Sequence, residues 1–98
     1  MDLMIKGRSA LVLGSTSGLG LAVAEGLAAE GARTAFTGRR GEAARKAAGN
    51  HPDAIGLELD IADPDSVRRG LAAVIDAYGR VDILVLNSGG PRPAPPRN

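Results

Sequence analysis

The chemistry of this sequence is concentrated in one short run, Gly14-Ser15-Thr16-Ser17-Gly18-Leu19-Gly20. Glycines at this spacing allow what side chains obstruct. One lets the chain turn sharply out of a strand, one lets backbone approach a pyrophosphate, and one lets a helix pack close to a sheet. If a helix starts here, its free N–H groups and positive dipole end can bind phosphate oxygens. Ser15, Thr16 and Ser17 add hydroxyl donors. Glycine turns also serve simple tight turns, so the position between a strand and a helix is what favours phosphate binding. No Gly-Lys-Ser or Gly-Lys-Thr follows, which excludes a Walker-type triphosphate loop.

The other candidates are fewer. Gly38-Arg39-Arg40-Gly41 places two guanidinium groups side by side, suited to a phosphate fork or simply to solvated charge. His51, between Asn50 and Pro52, has no partner nearby in sequence and reads as a turn residue. The sole tyrosine, Tyr78, falls on the apolar face of a helix and reads as core. There is no cysteine, so disulfides, thiolate metal sites and a cysteine nucleophile are excluded, and no metal site is expected.

These residues need elements to position them. Arg8–Gly14 reads as a buried strand, and Gly18–Glu30 as a helix with Leu19, Val23 and Leu27 at helical spacing beside Gly20, Ala24 and Ala28. Gly31 is its stop. Arg33–Thr37 predicts a second strand with Gly38–Gly41 as its exit loop, and Glu42–Ala48 a second helix. Ala54–Leu59 predicts a third strand. The third helix has the clearest start, with Asp63 as N-cap, Pro64 at the first position and Asp65 favouring the dipole. Its expected packed face is Val67, Leu71, Val74, Ile75 and Tyr78, and Gly79 ends it. Asp82–Asn87 completes the alternation as a fourth strand.

The β-α-β-α-β-α-β order, with short connections, predicts a parallel sheet with helices on both faces. Residues 1–90 form this segment. Residues 91–98 hold four prolines in Pro-Arg-Pro-Ala-Pro-Pro and predict an extended, polyproline-like tail.

Composition narrows the function classes. The 98 residues suit one domain. Twelve Lys and Arg against eleven Asp and Glu leave no basic footprint for nucleic acid. Two aromatics supply little base stacking. No purely aliphatic run, Ala10–Leu13 and Ile83–Leu86 included, approaches the length of a membrane span, and Met1-Asp2-Leu3 does not open a signal peptide. A cytoplasmic protein is expected.

The Gly-x-x-x-Gly-x-Gly spacing of Gly14, Gly18 and Gly20 resembles the cofactor signature of the short-chain dehydrogenase/reductase family. Leu59-Asp60-Ile61 resembles the family's acidic site after strand three. Asn87-Ser88-Gly89 resembles its Asn-Ala-Gly after strand four, and Tyr78–Asp82 its lead into that strand. The likeness runs from Lys6 to about Pro91. It implies a Rossmann-like doubly wound sheet of strand order 3-2-1-4 with three helices. It also implies dinucleotide binding by Gly14, Ser15, Thr16, Ser17, Gly18, Leu19 and Gly20. Asp60 and Ile61 would lie at the adenine, Asn87 would brace the sheet, and Ser88 and Gly89 would line the cofactor site. Two positions depart from the pattern: Leu13 replaces a Thr before the first glycine, and Leu86 replaces an Asn. Both are expected where strands one and four adjoin, an apolar pair in place of a polar one.

The ribose 2′ position is read near the end of strand two, where an acid selects NAD. Gly38 stands there, followed by Arg39 and Arg40, so NADP is expected over NAD. The family's catalytic Ser and Tyr-x-x-x-Lys have no counterpart: the fourth residue after Tyr78 is Asp82, and the lysines are Lys6 and Lys46. The reading is the NADP(H)-binding part of a short-chain oxidoreductase, catalytically incomplete over these residues. A non-catalytic dinucleotide-sensing or assembly module is the alternative, and a methyltransferase half-domain a weaker one. Strand four would form an apolar sheet edge, which predicts self-association through it.

Overall fold

The structure, a computed structural model, describes residues 5–49 and 51–86. Along them run β1 (Ser9–Leu13), α1 (Gly18–Ala29), β2 (Arg33–Gly38), α2 (Gly41–Ala48), β3 (Ile55–Glu58), α3 (Pro64–Tyr78) and β4 (Ile83–Leu86). The strands form one parallel sheet in the order β3-β2-β1-β4. Asn87, Ser88, Gly89 and the proline-rich tail lie outside the described residues.

All five residues of β1 are buried, as a strand covered on both faces requires. Their alternation divides the core. Val12 and Phe36 pack with Ala24 of α1 and Ala48 of α2 on one face. Leu11, Leu13 and Ala35 pack with Leu59 and with Val74 of α3 on the other. Helices α1 and α2 therefore cover one face and α3 the opposite one, as expected from three successive crossovers. The departures in sequence also meet: Leu13 and Leu86 are register partners across β1 and β4.

Close helix–sheet approach depends on small residues. The buried positions of α1 are Gly20, Ala24 and Ala28, spaced four apart on one stripe. At Gly56 of β3, an added β-carbon would collide with the backbone of Ala44 and Arg45, so α2 lies directly against that strand.

Two expectations change. Gly38 belongs to β2 rather than to an exit loop, because it stays in register with Glu58 and its carbonyl accepts from the Leu59 amide at 2.7 Å. The packed face of α3 is also rotated from the expected one. It buries Ser66, Gly70 and Val74, while Leu71 and Ile75 are 38% and 46% exposed. Gly70 explains the turn: a β-carbon there would clash with the Leu59 side chain, so the helix seats its smallest residue against Leu59. Val67 and Tyr78 remain packed at the flank.

The start and end of α3 follow the sequence. The Asp63 carboxylate accepts from the Asp65 amide at 3.0 Å, Pro64 is the first helical residue, and Gly79 closes the helix at φ +85°.

Candidate dinucleotide site

Parallel strands bring their C-terminal ends to one sheet edge. Here that edge collects Gly14 after β1, Gly38 closing β2 and Asp60 after β3. The strand order reverses between β1 and β4, and a crevice opens at such a switch point.

Gly14 leaves β1 at φ +74°, and Gly18 enters α1 at φ +61°. Both lie in the left-handed region that disfavours a β-carbon. Gly18 faces open space, so its backbone is approachable from outside. Ser17 is the N-cap residue of α1 but its hydroxyl makes no capping bond, and the first turn carries no acid. The leading amides of α1 therefore have neither a side-chain cap nor a neutralising carboxylate, and the dipole end stays positive. Leu19 is 74% exposed beside them.

The Ser15 hydroxyl is turned inward. It donates to the Val12 carbonyl at 2.9 Å and accepts from the Thr37 amide at 2.7 Å, while the Ser15 amide donates to the Thr37 carbonyl at 2.8 Å. The Thr37 hydroxyl extends the clasp, donating to Val12 at 2.9 Å and accepting from the Gly14 amide at 3.2 Å. Ser15 thus anchors the loop to β2, leaving Thr16 and Ser17 as the accessible hydroxyls. Sequence identifies a hydroxyl but not its direction, and Thr37 carried no signal of this role.

Beyond Gly38, Arg39 and Arg40 are exposed, and neither has an ion-pair partner among the described residues. Asp60 is held in place: its amide donates to Ser66 Oγ at 2.8 Å and its Oδ1 accepts from the Ala62 amide at 3.0 Å. Ile61 next to it is open to solvent.

Tyr78 is placed away from this edge, at the C-terminal end of α3. Its hydroxyl reaches the backbone carbonyls of Thr34, at 3.2 Å, and Asp53. Arg33 lies 5.1 Å over its ring. Burial pushes its pKa up to about 12, outweighing the nearby Arg33 charge. It is a packing residue. His51 is likewise structural, stacked on Phe36 at 5.5 Å within the turn after α2.

A parallel sheet of this order, with a glycine turn between its first strand and first helix, is a Rossmann-type α/β fold. The short chain dehydrogenase family profile matches residues 8–98. The chain belongs to that family. It is 46% identical over 84 residues to granaticin polyketide synthase putative ketoacyl reductase 1 of Streptomyces violaceoruber, covering 82% of this chain and 31% of that protein. It is 43% identical over 82 residues to the 3-oxoacyl-[acyl-carrier-protein] reductase MabA of Mycobacterium bovis, covering 84% and 30%. L-Sorbose reductase from Gluconobacter frateurii, solved with NADPH and L-sorbose, superposes with a TM-score of 0.84 at 36% identity, covering 92% and 36%. The chain spans about a third of the length of the curated relatives it matches. No described helix is long and apolar enough to cross a membrane.

Proposed function

We propose that this chain is the NADP(H)-binding part of a short-chain oxidoreductase whose reaction moves hydride between nicotinamide and a carbonyl or alcohol. The observation that carries the cofactor preference is the end of β2. Gly38 offers no acid to a ribose, and the exposed Arg39 and Arg40 follow it directly. The NADPH in the structure of L-sorbose reductase supports the same reading.

The described residues fit a dinucleotide. The glycine turn leaves a cradle that side chains would fill, and the uncapped positive end of α1 opens onto it. In this reading the amides of the turn hold the pyrophosphate, with Thr16 and Ser17 as hydroxyl donors. Arg39, with Arg40 beside it, pairs with the 2′-phosphate, and Asp60 accepts from the adenine amine. The nicotinamide, when bound, supplies or receives the hydride. Asn87, Ser88 and Gly89 complete the site by their resemblance to the family motif.

Proton transfer to the carbonyl oxygen needs a donor at that oxygen. Tyr78, tied to backbone carbonyls, is unsuited to it, so the 98-residue chain alone binds cofactor without turnover. Family membership leaves the methyltransferase alternative without support. An assembly role is compatible with cofactor binding, because Leu84 and Leu86 of β4 are 62% and 69% exposed and no described strand pairs with the outer side of β4.

Calorimetric titration with NADPH and NADH tests the proposal, with Arg39→Ala measured alongside. Tighter binding of NADPH, weakened about tenfold or more in the variant, is expected from loss of a charge-assisted phosphate contact. Failure of the wild-type chain to bind either nucleotide would sink it.

A further inference from the structure

Gly38 is a glycine for a reason that its own backbone does not explain. It is a strand residue without a positive φ, so the backbone alone would accept any side chain. The obstacle is Thr16. A β-carbon added at Gly38 would fall well inside 3.0 Å of Thr16 Cγ2, closer than real β-carbons come, and 3.2 Å from Oγ1.

The backbone on both sides of the contact is held. Gly38 is buried, and its carbonyl is fixed by the Leu59 amide at 2.7 Å. Thr16 follows Ser15, which is locked to Thr37 through backbone and hydroxyl. Thr16 Cβ itself would stand 3.4 Å from the added carbon, an ordinary contact. The conflict therefore lies in the methyl and hydroxyl of Thr16, atoms that alanine lacks.

We infer that Thr16 is a specificity-determining residue, whose side chain excludes from position 38 the acid that would select NAD. Preference for a 2′-phosphorylated dinucleotide then rests on two separable devices. Arg39 attracts the phosphate, and the Thr16–Gly38 contact keeps a repelling carboxylate away. The inference deepens the proposed function and depends on it.

A cycle of four proteins tests it: wild type, Thr16→Ala, Gly38→Asp and the double variant, all retaining Arg39. Melting is followed by far-UV circular dichroism, and NADPH and NADH affinities by calorimetry. Gly38→Asp alone is expected to lower Tm by roughly 10 °C, the scale of overpacking in a fixed core. It is also expected to weaken both nucleotides. Adding Thr16→Ala restores most of the lost Tm and moves the NADPH-to-NADH preference about tenfold or more toward NADH.

The inference is overturned if Gly38→Asp melts like wild type, or if the double variant melts no higher than Gly38→Asp. It is equally overturned if the double variant folds and keeps the wild-type preference. Wild-type binding of NADPH with any of these results overturns this inference alone. Absence of all nucleotide binding by the wild type overturns the proposed function and takes the inference with it.

Discussion

Ser15 and Thr37 are joined in both directions, the Ser15 amide donating to the Thr37 carbonyl at 2.8 Å and the Thr37 amide to the Ser15 hydroxyl at 2.7 Å. The glycine turn is thus fastened to β2 before any ligand arrives. Both side chains are fully buried, so neither bond is replaced by water if a partner is removed. Ser15→Ala removes a buried acceptor from the Thr37 amide, at a cost of about 2 kcal/mol, or roughly 10 °C in Tm. Thermal melts of the two proteins check it; an unchanged Tm would show that the loop is held by other means.

The exposed Leu84 and Leu86 predict association through β4. They stand in register with the buried Leu11 and Leu13, but α3 leaves them open. Light scattering during gel filtration is expected to show oligomers, and Leu84→Lys with Leu86→Lys to shift them toward monomer, as charge blunts a strand edge. A wild-type chain that is monodisperse, monomeric and cooperative in melting contradicts this.

Acid sensitivity should centre on Asp82. The hydrogen bond from the Ser9 amide, at 2.9 Å, is the leading cause that holds its carboxyl below the usual 3.8, with Arg80 at 2.7 Å assisting against the cost of burial. The unfolded chain therefore takes up this proton first as pH falls. Stability from Asp82 is complete above its unfolded pKa and is lost as pH drops through the lower folded value. Urea denaturation at pH 7, 5, 4 and 3 should show Asp82→Asn weaker than wild type at pH 7, with the gap closing in acid. A constant gap across that range would count against the role.

The alkaline limb belongs to Tyr78. Burial raises its folded pKa to about 12 from 10.0, so the folded state resists losing the phenolic proton. Its contribution is complete below 10 and disappears as pH climbs through 12. With a single tyrosine, absorbance at the phenolate band reads this group alone. A midpoint near 10 in the folded chain would mean that the ring is not packed against Thr34 and Asp53.

The sequence carried the topology because its punctuation is chemically explicit. Asp63-Pro64 opens α3 and Gly79 closes it with residues that suit few other positions. The alternation of short apolar runs with helical patterns predicted a parallel sheet with helices on both faces, the resemblance to the short-chain dehydrogenase/reductase family supplied its strand order, and the glycine spacing placed the turn at its switch point. Other features required three dimensions. Leu71 and Ile75 have the right periodicity for burial, yet Gly70 turns the helix so that they miss the sheet. Ser15 has the right type for a phosphate donor but is engaged by Thr37. The Thr16–Gly38 contact joins residues on different elements, and no periodicity reports it.

The bond between Ser9 and Asp82 spans 73 residues of chain, and it has a consequence for synthesis. Translation at about 5–20 residues per second puts roughly 4–15 s between the two residues leaving the ribosome's catalytic centre. β2 can align with β1 early in that interval, but the opposite side of β1 must wait for Asp82 and the strand behind it. Of the described strands, the first made is among the last to be completed. The nascent chain therefore passes through a stage in which β1, buried throughout in the finished fold, is paired on one side only, when a chaperone or a neighbouring copy could occupy the vacant edge.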